Sequence, residues 1–221
     1  MSNAFYSESA FNRLTNLDNI EYKIVDFLAR SDSKYANYLW KILKYDDQDC
    51  LSRENLSYKD KMELLYTNNG ESTQSRVFMT PYVDDSWDEQ TSHLHIFVNR
   101  VFPTNHLKSR VEVCFEIIVH NKIGVIYGDA SEFNPESNPV ELKDGQPVIL
   151  YKNRASEMLK DIVAALNGAM VNGVGMFQFN MELNPEERAS STVWNGKKFY
   201  GYKLTMSTLM SGVSQTDDCG W

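Results

Sequence analysis

The sequence predicts an α+β fold in which N-terminal helices precede a mainly antiparallel β-sheet, with one long helix packed on that sheet. Apolar residues recur with a helical period through the first third of the chain. From Arg76 onward, apolar and polar residues alternate, which is the period of a β-strand. A helical pattern returns at residues 155–168 and separates the first strands from the last ones.

Three helices are predicted before residue 70. Residues 16–30 and 33–45 each carry apolar side chains at spacings of three and four, which places those side chains on one helix face. A shorter helix over residues 57–66 begins with Ser57 and Asp60, which have the spacing of a capping box. These segments make the first third of the chain helical.

Segments with the alternation of β-strands follow the predicted helices. Residues 92–101 and 110–120 alternate, and the second run is long enough for a central antiparallel strand with one mostly solvated face. A short run at 122–127 is expected to be its partner. Residues 173–183 and 198–208 are expected to form a closing hairpin, with a turn signal at Asn195 and Gly196.

Composition divides the chain into three parts. Residues 1–70 are the N-terminal helical segment, residues 71–210 are the α+β core, and residues 211–221 are a C-terminal tail. Within the core, residues 129–147 contain three prolines and many polar residues, which predicts a long loop.

Charge and cysteine content limit the functional classes. The net charge is −8, from 22 basic and 30 acidic residues, which argues against a free-standing protein that binds duplex DNA. The N-terminus lacks the pattern of a secretory signal, and no apolar stretch is long enough to span a membrane. Cys50, Cys114 and Cys219 are odd in number and far apart, which indicates a reducing compartment.

One acidic group follows the second predicted helix. Asp46, Asp47 and Asp49 lie beside Cys50 in the stretch LKYDDQDC. A calcium loop would need a glycine at its turn and a glutamate at its twelfth position, and this stretch offers neither. We therefore interpret these residues as the polar end of a helix.

A second acidic group surrounds a tryptophan. Asp84, Asp85, Asp88 and Glu89 flank Trp87 in the stretch YVDDSWDEQ. Paired carboxylates can hold magnesium for hydrolysis or phosphoryl chemistry. An aromatic residue among acids also fits a protein–protein contact, because tryptophan is enriched at the centre of such interfaces.

The histidines offer a third possible site. His93 and His95 are two residues apart on a predicted strand, so both point to one face, and His120 could add a zinc ligand. The interpretation favoured by the sequence is that they are polar residues on the solvated face of the sheet. Glycines 173 and 175 lack the residues of a phosphate loop. The sequence thus predicts no catalytic residue, no metal site and no cofactor.

Five segments of the chain form a characteristic layout. They are LWKILKYDDQDCLSRENLSYKDKMELLY and RVFMTPYVDDSWDEQTSHLHIFV, followed by the later strands EIIVHNK, GVGMF and GKKFYGYKLTMST. Over residues 33–208 this layout resembles the neck proteins of tailed bacteriophages, which are ring-forming connector, tail-terminator and head-completion proteins. The resemblance implies a tail-terminator-like fold. It also implies a homo-oligomeric ring, hexameric or dodecameric, that contacts the portal or an adjacent ring protein.

The resemblance has further implications for location and contacts. The protein would assemble in the host cytoplasm and lie in the neck or tail of the virion, where duplex DNA passes through its channel without specific binding. The assembly contacts predicted on this basis are Arg76, Asp84, Asp85, Trp87 and the loop around Phe133. Two alternatives remain. One is a metal-dependent nuclease or hydrolase that uses the acids at 84–89 with His93 or His95, and the other is a cytoplasmic adaptor protein.

Overall fold

The α+β prediction is confirmed by the structure, a computed structural model that describes residues 19–66, 75–81, 90–104, 108–128, 151–179, 190–194 and 198–211. The helices in these ranges are α1 (Ile20–Arg30), α2 (Lys34–Lys44), α3 (Tyr58–Glu63) and α4 (Arg154–Leu166). The strands in these ranges are β1 (Val77–Phe78), β2 (Ser92–Pro103), β3 (Lys108–His120), β4 (Val125–Tyr127), β5 (Tyr151–Asn153), β6 (Met170–Val171), β7 (Gly175–Gln178), β8 (Ser190–Trp194) and β9 (Phe199–Ser211).

Seven of these strands form one sheet. Its order is β1-β2-β3-β9-β7-β6, and β8 pairs with β9 beside this path. The pairing is antiparallel except between β1 and β2, as the sequence predicts. The short strand predicted at 122–127 exists as β4, but its expected place beside β3 is wrong. β4 pairs with β5 in a separate two-stranded sheet that leads into α4.

The helices pack on one face of the large sheet. The β3 side chains of Val111, Val113, Phe115, Ile117 and Val119 are fully buried on this face. The apolar stripes of α1, α2 and α4 join the same hydrophobic cluster. Burial of each such side chain stabilises the fold by about 1.5–3 kcal/mol before the loss of conformational entropy is counted. The long helix predicted to cover the sheet is α4.

The opposite face of β3 is buried, so the prediction that it is mostly solvated is wrong. Glu112, Glu116 and His120 were expected to face solvent, yet they are only 1, 7 and 6% exposed. Glu116 lies opposite Lys203 of β9, with 3.3 Å between the carboxylate and the ammonium nitrogen, and Glu112 pairs with Arg110 at 3.1 Å. Alternation in sequence reports polarity, whereas exposure depends on which side chains pack nearby, here Lys203 of β9 and Arg110 of β3 itself.

The central strands approach closely at a glycine. Gly201 of β9 lies opposite Ile118 of β3, and a Cβ atom added to it would lie 1.6 Å from the carbonyl oxygen of Ile117. Only glycine leaves room for this carbonyl, so the β3–β9 pairing depends on the residue at 201.

Candidate interaction surface

The acidic group after α2 is a structural helix end. Asp46 lies 3.7 Å from the guanidinium of Arg76, and Asp47 lies 2.7 Å from that of Arg53. The Cys50 thiol is fully buried, and burial raises its pKa to about 11. The interpretation of this stretch as a polar helix end is therefore confirmed, with ion pairs that the sequence did not specify.

A buried arginine, which the sequence analysis missed, organises the same region. The guanidinium of Arg154 donates to the carbonyl oxygens of Ile42 at 3.0 Å, Tyr45 at 2.8 Å, Asp47 at 2.6 Å and Ile123 at 2.8 Å. Arg154 is 0% exposed, and burial lowers its pKa. It therefore supplies donors to carbonyls at the C-terminal end of α2, which has no further helical turn to bond them.

The two neighbouring histidines are buried, so their predicted place on a solvated face is wrong. Phe78 of β1 stacks on the His95 ring with 4.8 Å between ring centroids. The Nδ1 of His95 donates to the carbonyl oxygen of Thr80 at 2.8 Å, and His93 hydrogen bonds to the Thr91 hydroxyl. Burial lowers the pKa of His95 to about 4 and that of His93 well below its ordinary value. Both rings are therefore neutral at pH 7.

Of the residues predicted to make assembly contacts, the structure describes Arg76. Its side chain is 11% exposed and joins β1 to the loop after α2 through Asp46. Asp84, Asp85, Trp87 and Phe133 lie outside the described residues, so their contacts stay a prediction. Among the residues that the structure does describe, no group of three or more His, Cys, Asp or Glu side chains could hold a metal ion.

One end of the large sheet presents large apolar side chains to solvent. Phe102 is 41% exposed, and Leu209 is 59% exposed. Phe102 of β2 is paired with Arg110 of β3, and Arg110 is paired in turn with Leu209 of β9. Because directly paired residues point to the same side of a sheet, these three side chains lie in one row.

The row continues across two more strands. Phe177 of β7 is paired with Thr208, so Met176, one residue earlier, reaches the level of Leu209. Met176 is paired with Met170 of β6, and the two are 45 and 63% exposed. We call the whole set the sheet-end row, which consists of Phe102, Arg110, Leu209, Met176 and Met170.

A polar cleft lies between the ends of three helices. It has a volume of about 510 Å³, and we call it the helix-end cleft. Its lining residues are Ala29, Arg30, Asp32, Asn37, Asn55, Leu56, Ser57, Tyr58 and Lys61. The predicted capping box of Ser57 and Asp60 is confirmed and fixes the start of α3 at one wall of the cleft.

Two cations are held in the wall of the cleft. The buried Lys61 ammonium donates to the carbonyl oxygen of Ala29 at 3.1 Å and to Oδ1 of Asn37 at 2.9 Å, and burial lowers its pKa. The Arg30 guanidinium lies 4.6 Å from the centroid of the Tyr58 ring. The cleft therefore combines an aromatic surface with donors that are fixed by the ends of α1 and α2.

The sheet-end row and the helix-end cleft face opposite sides of the domain. Val111 and Val113 of β3 point into the core beneath the helices. Because successive side chains of a strand point to opposite faces, Arg110, which precedes Val111, points away from the helical layer. The cleft lies within the helical layer, at the C-terminal end of α1. One copy of the chain thus offers two unlike surfaces on opposite sides.

In the part of the chain that the structure describes, no helix is long and apolar enough to cross a membrane. Comparison with curated proteins and with solved structures finds no significant match. The model of the YomW family matches residues 36–208, which is 173 of the 221 residues and runs from α2 into β9. This family is named for the product of a gene in an SPbeta-like phage region of Bacillus. The chain therefore belongs to the YomW family and is a phage-associated protein.

Proposed function

We propose that the protein is a structural component of the virion that forms a ring in the phage neck or tail. The ring connects the portal to the tail and surrounds the channel through which DNA passes. The sheet-end row is the observation that carries this proposal. Four large apolar side chains across one end of a sheet are costly to leave in water, and their burial against a neighbour removes that cost.

The size of the row suits the centre of a protein interface. Each of its four apolar residues exposes about half of a surface of about 200 Å², so together they present roughly 400 Å². A stable interface buries about 800 Å² on each partner, with an apolar centre and a polar rim. The row can therefore supply the centre of a contact between copies of this chain.

The family membership and the charge agree with this role. The protein is phage-associated. Its sequence also resembles neck proteins over residues 33–208. A net charge of −8 on each copy makes an assembled ring strongly acidic. An acidic channel repels phosphate groups, so DNA could slide through it without being held.

The environment of His93 and His95 favours the structural role over the nuclease or hydrolase alternative. That alternative needs His93 or His95 to bind a metal or carry a proton beside the acids at 84–89. The two rings are instead buried near Phe78, hydrogen bonded to Thr91 and Thr80, and neutral at pH 7. The adaptor alternative could also use the sheet-end row, and it differs from our proposal in being absent from virions.

The proposal is tested by the mass of the purified protein in solution and by a proteomic search of purified phage particles. We expect a hexamer or dodecamer by light scattering and several copies per particle. The variant Leu209→Lys should weaken each contact by about 2–3 kcal/mol, roughly 50-fold, because about 100 Å² of apolar surface is no longer buried favourably. A wild-type protein that stays monomeric at high concentration and is missing from particles would refute the proposal.

Val125→Lys is the matched control for this experiment. Val125 is 45% exposed on β4, which belongs to the separate two-stranded sheet and not to the sheet-end row. The substitution adds the same charge at a similar exposure. It should leave the oligomer intact, and circular dichroism should report the same fold for both variants.

A further inference from the structure

We propose that the N-terminal arm, which consists of residues 1–18, docks on the sheet-end row of the next copy in the ring. This inference rests on the proposed ring and names the segment that would cover the row. A closed ring of more than two copies needs a heterologous contact, in which one patch meets a different patch. The arm of one copy on the row of its neighbour is such a contact, and it can repeat around the ring.

The sheet-end row is a narrow apolar strip. It spans four strand spacings, about 19 Å, across the end of the sheet. The next row inward on the same face is polar, and the strand register aligns its members, which are Arg100, Glu112, Ser207 and Gln178. The apolar strip is therefore one side chain deep. A single segment of chain can cover such a strip, whereas a broad rigid surface would also cover the polar row.

The arm joins the domain close to both ends of the row. The Glu21 carboxylate, in the first turn of α1, accepts a hydrogen bond of 3.0 Å from the backbone N–H of Val98 on β2. Val98 lies about 13 Å along β2 from the row. The Lys23 ammonium donates to the carbonyl oxygen of Gly173 at 3.4 Å, in the turn between β6 and β7. The start of α1 therefore contacts β2 and the β6–β7 turn, which carry the two ends of the row.

The arm is also long enough to reach a row. The row faces away from the helical layer, so the arm must pass around the end of the sheet before it can dock. An extended chain of 18 residues spans at most about 60 Å, roughly three times the length of the row. The excess can carry the arm around the sheet end and across to a neighbouring copy.

The side chains of the arm complement the row in polarity and charge. Phe5 and Phe11 are large apolar residues, Glu8 lies midway between them, and the whole arm has two acids and one arginine. The row has a similar make-up with a charge of opposite sign, because Arg110 lies among four apolar side chains and its own side chain is 28% exposed. Docking would bury apolar surface on both partners, and a carboxylate near the guanidinium would give orientation.

Mixing two defective variants tests the exchange of arms. Phe11→Lys spoils the arm and leaves the row intact, whereas Leu209→Lys spoils the row and leaves the arm intact. Each variant alone should be monomeric at concentrations where the wild type is a ring, with association weakened roughly 50-fold. An equimolar mixture should form a dimer by light scattering and nothing larger, because one intact arm and one intact row remain.

Asn12→Lys is the matched control within the arm. It adds the same charge beside Phe11 at a polar residue, so it should assemble like the wild type. Phe5→Lys is a second arm variant and should weaken assembly as Phe11→Lys does, and thermal melts check that every variant is folded. Equal loss of assembly in Asn12→Lys and Phe11→Lys would assign the effect to the added charge and would overturn the inference.

The other outcomes separate this inference from the proposed function. If both phenylalanine variants form wild-type rings while Leu209→Lys is monomeric, the ring exists and its row binds another surface, so the inference alone is overturned. If the variants are monomeric and their mixture stays monomeric, the arm does not dock between copies, which also overturns the inference alone. If the wild-type protein never assembles, the proposed function is refuted and the inference falls with it.

Discussion

Replacement of the buried Arg154 by methionine should be severely destabilising. Methionine keeps much of the aliphatic volume but removes the donors that serve the carbonyls of Ile42, Tyr45, Asp47 and Ile123. A buried acceptor left without a donor costs about 1–3 kcal/mol. The loss is partly offset because a buried cation and its desolvation disappear as well.

The expected net loss is about 3–5 kcal/mol in the free energy of unfolding. This is a large share of the 5–15 kcal/mol typical of a folded domain. The measurement is urea unfolding followed by far-UV circular dichroism. It should be made in the Leu209→Lys background, so that the free energy of unfolding does not depend on protomer concentration.

Arg53→Met provides the matched control. Arg53 belongs to the same loop region and pairs with Asp47, but its side chain is 49% exposed, so water can replace the guanidinium. Its unfolding midpoint should move far less than that of Arg154→Met. If both variants lose the same stability, the buried guanidinium does not hold the helix end in the way described.

Two further predictions concern the histidines and the acidic tryptophan segment. The pKa of His95 is about 4 in the folded state against 6.5 ordinarily, so the unfolded state binds a proton first as the pH falls. The contribution of His95 to stability is therefore complete above pH 6.5. On acidification to pH 4, this group alone should lower the free energy of unfolding by about 3 kcal/mol. Urea titrations should give a flatter pH dependence for His95→Phe, and equal slopes would contradict the assignment. The double variant Trp87→Ala with Asp85→Arg should remain folded yet fail to join particles, and normal infectivity of such particles would contradict this contact assignment.

The helices and long strands could be predicted because their signals are local. The stripes of α1 and α2 and the capping box at Ser57 each lie within a few turns of chain. The alternation in β2 and β3 likewise identifies strands without reference to their neighbours. Local periodicity therefore predicted the fold class and the antiparallel character of the sheet.

The errors arose where a distant residue decides the environment. Glu116 is buried because Lys203 lies opposite it, and His95 is buried because Phe78 stacks on its ring. β1 has only two residues, too few for a periodic signal. The role of Arg154 was equally hidden, since its partners lie some 30 and 110 positions away in the chain. Such contacts depend on tertiary structure, which a single sequence does not display.

The side chains of the sheet-end row are aligned by the register between neighbouring strands. Their apolar character also bears on the repulsion that the net charge would cause between copies. Copies that each carry −8 repel one another, and a contact built from acids would add to this repulsion. Burial of apolar surface is indifferent to the sign of charge, so a row of Phe102, Leu209, Met176 and Met170 can hold such copies together. Added salt such as sulfate should then strengthen assembly, because it screens the repulsion between copies and does not weaken the apolar contact. In the proposed ring, the acidic surface would therefore face DNA or solvent, and the apolar row would bind the next copy.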